Sequence, residues 1–414
     1  MREHATGSPL PAAVRAATTA TYAAFIGSGF AFASWASRIP QVRDQLGLDA
    51  AALGLVLLAI AAGSLLALPL AGPVVTRIGS SRTVMSMAVL LGVGLTTAAL
   101  GSLAGVLPVV IGLFLLGFAN GAWDVAMNVQ GTVVERRLGK SIMSRFHAGF
   151  SLGTVAGALV GAGMVAAHVS VAAHLIGVAL LVVAGVTGQA RRFVADRDPA
   201  GPAVEGEPRR TGALTAWREP RTLLIGLFVL AFAFTEGVGN DWISVAAIDG
   251  YHVSPALGTL AFAGFLTAMT VGRWFGPGLL DRYGRTPVVR VLALIGIAGV
   301  ALFVFGPAPA YAYLGTLLWG LGASLGFPVG MSAGGDDPRM AAARVSVIAS
   351  IGYCAFLGGP PTVGFLGDRV GVLRALIVVA ALLTVAVLIA TGVRPLPGTG
   401  LVQDDTVTKA DRGA

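Results

Sequence analysis

The chain has 414 residues, of which 55% are hydrophobic and 12% are charged, and its mean hydropathy is +0.81. Soluble globular proteins carry roughly twice that share of charged residues, so a water-soluble enzyme, a disordered chain and a nucleic-acid-binding protein are all poor fits. The net charge of +8 invites a nucleic-acid-binding interpretation, but the placement of the charges argues against it. The single cysteine, Cys354, excludes an intramolecular disulfide and a thiolate metal cage.

Uncharged stretches long enough to cross a membrane recur along the sequence. A helix needs about 20 apolar residues to span a hydrocarbon core of roughly 30 Å. Paired spans lie within 83–134, 146–190 and 291–335, divided near Pro108, His168 and Gly306-Pro307. Single spans fill 16–37, 50–76, 222–247, 252–279, 341–367 and 372–393. The sequence therefore predicts twelve membrane-spanning helices.

The basic residues indicate the orientation of these spans. With the N-terminus inside, all of the 28 Lys and Arg residues except four lie on or near the cytoplasmic side. The four exceptions are Arg38, Arg43, Arg369 and Arg374. The positive charge thus follows the inner membrane surface, and no nucleic-acid partner is needed to explain it. We expect a multi-pass protein of the cytoplasmic membrane with both termini in the cytoplasm.

The chain divides into two similar halves. Residues 191–221 are charged and rich in Pro and Gly, which is typical of a linker. We therefore expect a tail over 1–15, a six-helix bundle over 16–190, this cytoplasmic linker, a second six-helix bundle over 222–393 and a tail over 394–414. The N-terminal residues show no pattern of a cleaved signal peptide. Two similar halves are the layout of parallel-repeat transporters.

The loops after spans two and eight carry a repeated motif. The first reads GPVVTRIGSSR from Gly72, and the second reads GPGLLDRYGR from Gly276. The second resembles the cytoplasmic loop motif of the major facilitator superfamily. GFANGAWDVAMNVQG from Gly117 and RFHAGFSLGTVAGALVG from Arg145 are similar to spans four and five of its fucose-permease-like branch. The resemblance implies an all-α fold of two pseudo-symmetric six-helix bundles, a monomer, and a small solute and protons as partners beside the lipid bilayer.

Asp124 is the first candidate for coupling transport to protons, because ionisable groups inside a membrane are expensive and point to function. Asn120 and Asn128 lie four residues to either side, so the three side chains share one helix face. In the fucose-permease branch an acid followed four residues later by Asn is implicated in proton coupling and sugar binding. Asp124 and Asn128 match those positions. The alternative is a hydrogen-bonded cluster that only joins helices.

Spans seven and eight supply further charged candidates. The branch has a second acid on span one, which this sequence lacks, and Glu236 near the centre of span seven is the substitute. Glu236 is predicted to carry a second proton, to accept a hydrogen bond from the substrate, or to serve as a structural partner for Arg273 or another buried polar group. Arg273 could also extend to the cytoplasmic interface, neutralise Asp124 or bind an anion. Asn240, Asp241 and Trp242 follow on span seven as candidate substrate-binding residues.

Three more residues are candidates for contact with the solute. His147, at the start of span five, aligns loosely with a sugar-binding position of the branch, although a capping or packing role is open. Trp123 and Tyr353, like Trp242, are candidates for stacking on a sugar ring. Aromatic side chains at this depth also serve as packing groups or interface anchors.

The repeated loops are candidates for a gate on the cytoplasmic side. Asp281 is expected to meet the N-terminal end of a helix from the other half, and Arg282 and Arg285 to complete a charge network. Gly284 allows the tight turn. In the first loop Thr76 stands where Asp281 stands in the second, so the predicted latch is one-sided. Arg77 and Gly79 complete the first loop, and Arg273 is also included among the gating candidates.

These observations predict a secondary active transporter, proton-coupled and moving a small polar solute such as a sugar. The alternative is a proton-coupled exporter of drugs or metabolites. The Gly-Pro motif frequent on span five of exporters is absent here. A non-transporting sensor would bring a larger soluble domain. Neither an enzyme nor an ATP-driven pump is expected, since no nucleophile–base pair, metal-ligand cluster or phosphate-binding loop is evident, and we expect no cofactor.

Overall fold

The computed structural model describes residues 12–140, 142–196, 213–337 and 340–396, and every regular element in those ranges is helical. The first half has six long helices: α1 Ala12–Ala36, α2 Ala50–Ile78, α3 Ser80–Ala104, α4 Val106–Leu138, α5 Met143–Ala166 and α6 Val171–Ala190. The second half has six more: α7 Pro220–Tyr251, α8 Pro255–Tyr283, α9 Arg285–Phe305, α10 Pro309–Gly334, α11 Ala341–Val370 and α12 Val372–Val393. Helix α10 is interrupted after Ala323 and resumes at Gly326.

Eleven of the described helices are long and apolar enough to cross a membrane. The exception is α1, which is long enough but carries several hydroxyl side chains. Thr21 and Ser34 are buried and donate to backbone carbonyls one turn earlier, so their polarity is satisfied inside the bundle. The predicted fold class, twelve helices in two six-helix halves, is confirmed.

The helix ends follow from local chemistry. Asp49 caps α2 by accepting a hydrogen bond from Ala52 N, and Ser170 and Ser254 cap α6 and α8 in the same way. At the opposite ends of α2 and α8, Gly79 and Gly284 have φ values of +85° and +80°. Only glycine adopts such angles without strain, and both residues turn the chain directly into the next helix.

Helix packing within and between the halves relies on small residues. Helix α1 packs on α5, α4 packs on α2 and α3, and α7 packs on α11, while α2–α11 and α5–α8 are the main contacts between the halves. The regularly spaced glycines of α5 face α1, and a Cβ atom at Gly153 would collide with the Ile26 carbonyl. The glycine spacing therefore serves close helix packing.

Two faces are distinguished below. The basic face carries the turns at 78–80, 139–140, 190–196, 283–285 and 335–337. The opposite face carries the turns at 37–49, 105–106, 167–170, 252–254, 306–308 and 371–372, and includes a short helix, Ile39–Leu46. Of the predicted tails and linker, residues 1–11, 197–212 and 397–414 lie outside the described residues.

Candidate functional site

A hydrogen-bonded cluster joins α4 to α5 in the first half. Asn128 Nδ2 donates to Asp124 Oδ1 at 3.2 Å and to the Asp124 backbone carbonyl at 2.8 Å. The Asn128 Oδ1 atom lies 3.1 Å from His147 Nε2. His147 is exposed, whereas Asp124 and Asn128 are half-buried. The predicted stripe on α4 therefore exists and is extended by a histidine from the next helix.

Asn120, one turn from Asp124, ties the same stripe to α1. Its Oδ1 atom accepts a hydrogen bond of 2.8 Å from the Ser28 hydroxyl, which is completely buried. The stripe thus contains one helix-joining contact at Asn120 and a titratable cluster further along the helix. The helix-joining interpretation therefore applies to Asn120, whereas proton coupling through Asp124 stays a prediction.

An ion pair between α7 and α8 forms the corresponding centre of the second half. Arg273 Nη2 lies 2.7 Å from Glu236 Oε2, and Arg273 Nε donates to the Ser324 backbone carbonyl of α10 at 3.2 Å. The side chains of Arg273 and Glu236 are 28% and 19% exposed. Of the roles predicted for Arg273, the structure shows pairing with Glu236 rather than extension to the interface.

The two centres face each other across the boundary between the halves. The Asp124 charge acts electrostatically on Tyr353 of α11, and Arg273 acts on His147. Asp124, Tyr353 and Arg273 lie well inside their helices, His147 lies in the first turns of α5, and all four are at least partly exposed. They therefore line a space between the halves that reaches solvent.

Two further polar residues of α7 have unused hydrogen-bonding capacity. Asn240 Oδ1 is buried and accepts no hydrogen bond from a described residue. Asp241 is half-buried, and its carboxylate makes no hydrogen bond or ion pair within the described ranges. Both groups can therefore still accept hydrogen bonds.

The two tryptophans proposed for sugar stacking occupy different surroundings from those expected. Trp123 and Trp242 are both 0% exposed, and neither indole Nε1 has a hydrogen-bond partner in the described part of the chain. A completely buried ring offers no face to a solute, so in this conformation both serve as packing groups. Tyr353 is half-buried and lies beside Phe356, with ring centroids 6.2 Å apart.

Polar contacts join the two halves at the opposite face. Arg43, on the short helix Ile39–Leu46, makes two hydrogen bonds to the Asp249 carboxylate at the end of α7, one of them 2.9 Å long. Asp368 at the end of α11 accepts from the backbone N–H groups of Ala50 and Ala51 at 3.0 and 3.2 Å, at the start of α2. These contacts close the opposite face.

The predicted latch at the basic face is not formed in this conformation. Asp281 is exposed and contacts no other described residue through a hydrogen bond or ion pair, and the Arg282 guanidinium lies over its neighbour Tyr283, 5.1 Å from the ring centroid. Thr76 donates to Pro73 O within its own helix, and Arg77 is exposed. The polar contacts found between described groups of the two halves thus lie at the opposite face, which is consistent with a conformation closed there and open at the basic face.

Arg285 belongs to a charge network within the second half. Its Nη1 atom lies 2.7 Å from Asp336 Oδ1, and Arg221 binds the other oxygen of Asp336 at 2.9 Å. Nearby, hydrogen bonds from the Arg344 guanidinium lower the pKa of Glu219, although burial acts against this effect. This network joins the basic-face ends of α7, α9, α10 and α11.

The sequence did not predict the partners of two charged residues, Asp196 and Arg38. Asp196, just after α6, accepts from Ser80 N at 2.6 Å and Ser80 Oγ at 2.5 Å, so it caps α3. Arg38, 2% exposed, donates from Nε to His174 Nδ1 at 2.8 Å. The charged residues themselves were visible in the sequence, but their partners are 116 and 136 residues away.

Two helical halves that surround a polar space, closed at one face and open at the other, define a membrane transporter. A family model described as the Major Facilitator Superfamily matches residues 19–354. The chain is 30% identical over 357 residues to an uncharacterised MFS-type transporter of Yersinia pestis, covering 84% of this chain and 88% of that protein. The chain belongs to the Major Facilitator Superfamily.

Solved structures of the same fold have little sequence similarity to this chain. One is a bacterial homologue of the human lysosomal transporter Spinster in an inward-facing, unoccupied conformation, with a TM-score of 0.75, 12% identity and coverage of 94% of this chain and 100% of that one. Another is the Escherichia coli fucose:proton symporter FucP, with a TM-score of 0.62, 16% identity and coverage of 91% and 98%. Both similarities establish the fold alone.

Proposed function

We propose that this transporter is a proton-coupled symporter of a small polar solute, such as a sugar, and that it works by alternating access. The observation that carries this proposal is the half-buried Asp124 carboxylate, which has only one hydrogen-bond donor from a side chain, Asn128, and no cationic partner in the described part of the chain. Such a carboxylate is expensive when ionised and is favourably placed to bind and release a proton as its hydration changes. The fucose:proton symport carried out by FucP, a protein of the same fold, is consistent with this proposal.

The proposed orientation places the basic face in the cytoplasm. Most Lys and Arg residues lie there, as the positive-inside rule requires of a protein in the cytoplasmic membrane. Both chain ends are then cytoplasmic and the conformation is inward-open. The bundles over 16–190 and 222–393 are proposed to rock about their interface within a monomer, with the linker over 191–221 between them.

The solute is proposed to bind between the two polar centres. The first half offers Asn120, Asn128 and His147, and the second half offers Asn240, Asp241 and Tyr353 as hydrogen-bonding groups. Glu236 is proposed to take part in the response to proton and solute through its ion pair with Arg273. Protonation of Glu236 would remove its negative charge, so the Arg273 guanidinium would become available for other contacts. Asp281, with Arg282 and Arg285, is proposed to close the basic face in the outward-open state.

One experiment separates the main possibilities. The purified protein is screened by thermal shift against neutral sugars, polyols, sugar acids and lipophilic cations at acid and neutral pH. A ligand at 100 times its dissociation constant stabilises the protein by about 2.7 kcal/mol, which is readily detected. The ligand found is then tested for uphill uptake into proteoliposomes driven by a proton gradient.

Asp124→Asn and Glu135→Gln form a matched pair of variants for the uptake assay. Both replace an acid on α4 by its amide, but Glu135 lies near the basic-face end of the helix. We expect Asp124→Asn to lose gradient-driven accumulation while Glu135→Gln keeps it. Uphill uptake by Asp124→Asn would refute coupling through Asp124, and stabilisation by lipophilic cations alone would favour the proton-coupled exporter.

A further inference from the structure

His147 is in hydrogen-bond contact with the polar stripe of α4. Asn128 connects His147 to Asp124, because its Nδ2 atom donates to Asp124 and its Oδ1 atom lies 3.1 Å from His147 Nε2. An amide oxygen only accepts hydrogen bonds, so His147 Nε2 must carry the proton in this contact. The neutral imidazole then has its lone pair on Nδ1, where it can accept a proton.

The surroundings hold the imidazole in place while leaving it accessible. Phe25 of α1 packs against the ring edge-to-face, with centroids 5.1 Å apart, and Phe25 itself stacks on Phe146. His147, near the basic-face end of α5, nevertheless remains exposed. Water can therefore reach the imidazole.

Charge balance gives His147 a role in proton release. Direct loss of the Asp124 proton to bulk solvent forms the carboxylate in a poorly hydrated site with no cation beside it during the transfer. Transfer of that proton to His147 converts two neutral groups into a carboxylate and an imidazolium whose charges sum to zero. Arg273 on α8 also faces His147; Glu236, 2.7 Å from its guanidinium, balances much of its charge, and the remaining repulsion favours onward transfer of the proton.

We propose that His147 is the acceptor through which Asp124 releases its proton towards the basic face, and that Asn128 is the positioning residue for both groups. The proton leaves an Asp124 carboxyl oxygen for water, and a chain of water molecules passes a proton to His147 Nδ1. The imidazolium then releases a proton to bulk water, so that Asp124 ends ionised and His147 ends neutral. The proposal rests on the proposed proton coupling through Asp124.

The test is nitrogen-15 NMR of the purified full-length chain labelled at histidine, titrated from acid to neutral pH. The chain has only five histidines, and His168 and His252, in turns of the opposite face, are internal controls. The contacts from Asp124 Oδ1 through the Asn128 amide to His147 Nε2 limit the separation of the carboxylate and the imidazolium to about 9 Å. At an effective dielectric constant of about 20, two charged groups at that separation shift each other's titration midpoint by about one pH unit.

We expect three results from this titration. Neutral His147 carries its proton on Nε2, Asp124→Asn moves the midpoint of His147 by about one pH unit, and the midpoints of His168 and His252 do not move. Coupling is reciprocal, so His147→Gln must move the midpoint of Asp124, followed by carbon-13 labelling of aspartate, by the same amount. The glutamine can still donate a hydrogen bond to Asn128, which preserves the local structure.

Two outcomes would overturn the proposal: a proton on Nδ1 of neutral His147, or titrations of His147 and Asp124 that do not depend on each other. Either result leaves proton coupling through Asp124 intact, because that coupling is measured separately by uptake into proteoliposomes. Conversely, uphill uptake by Asp124→Asn would refute the proposed coupling even if the two titrations were linked. The two failures are therefore distinguishable.

Discussion

The ion pair between Arg43 and Asp249 is expected to stabilise the conformation that is closed at the opposite face. Its partners belong to different halves, and their side chains are 14% and 37% exposed. Two unit charges 4 Å apart attract by about 4 kcal/mol at an effective dielectric constant of 20, but exposed pairs contribute only about 0.2–1 kcal/mol when measured. Since Asp249 is accessible to water, we take about 1 kcal/mol, which corresponds to about a fivefold change in the ratio of conformations.

Arg43→Ala is therefore expected to raise the share of molecules that are open at the opposite face about fivefold. The assay is electron spin resonance distance measurement between spin labels at Gln45 and Arg374, which are both exposed at that face. The native Cys354 is first replaced by serine, so that the two introduced cysteines are the only labelling sites.

The charge-reversed double variant Arg43→Asp with Asp249→Arg is the matched control. It restores an attractive pair in the same place, so it should return the distance distribution towards that of the parent. High salt should shift the parent towards the open form, because screening weakens an accessible ion pair. An unchanged distribution in Arg43→Ala, or a double variant as open as the single one, would refute the latch.

Three other substitutions test the packing and charge pairs. Arg273→Met should destabilise the protein by about 1–3 kcal/mol, because it leaves the half-buried Glu236 carboxylate unpaired. Adding Glu236→Gln should recover part of this loss, and a double variant with no recovery in melting temperature would contradict the pairing. Gly153→Ala should cost about 1–3 kcal/mol through collision with α1, whereas Gly163→Ala on the same helix meets nothing within 4 Å and should not lower the melting temperature. The pKa of Glu219 is lowered in the folded protein, so the ionised carboxylate stabilises the fold fully above its unfolded pKa of about 4.3, and this stabilisation is lost as the pH falls through the lowered pKa. Glu219→Gln should therefore reduce the fall in melting temperature between about pH 5 and 3. Melting temperatures of the parent and the variant that fall in parallel with pH would exclude this contribution.

The fold could be predicted from the sequence because a membrane span depends on a short local stretch. Uncharged runs, caps such as Asp49 and the glycine turns at Gly79 and Gly284 each determine a helix or its end without knowledge of the rest. Helix α1 shows where this local signal weakens. Its hydroxyl groups lower its apolarity, yet they are satisfied inside the bundle, which only the packed structure reveals.

The site could be predicted only as far as one helix extends. Asn120, Asp124 and Asn128 share a face because they are four residues apart, and this follows from helix geometry. The bond from Asn128 to His147 depends on how α4 and α5 pack, so the sequence offered His147 without its partner. For Arg273 the sequence left several roles open, because its distance from Glu236 was unknown before α7 and α8 were placed together.

The tryptophans show a second reason for the limits of sequence analysis. In a helix that is apolar on all sides, the usual alternation of polar and apolar residues does not identify the face turned to a cavity. Trp123 lies next to Asp124 in the chain, but adjacent residues on a helix point about 100° apart, so one can be buried while the other lines a space. Proximity in sequence to a functional acid is therefore weak evidence for contact with a solute.

The charged contacts at the two faces differ: those at the opposite face join the two halves, and those at the basic face lie within one half. This difference accounts for a conformation that is closed at the opposite face. At the opposite face, Arg43–Asp249 and the Asp368 contacts with α2 link one half to the other. At the basic face the acids work within their own halves: Asp196 caps α3, and Asp336 binds arginines of the second half. Because those acids add nothing to contact between the halves, we propose that closing the basic face relies on Asp281, which lacks an acidic counterpart at Thr76. In this conformation, these charges therefore link the two halves at the opposite face and not at the basic face.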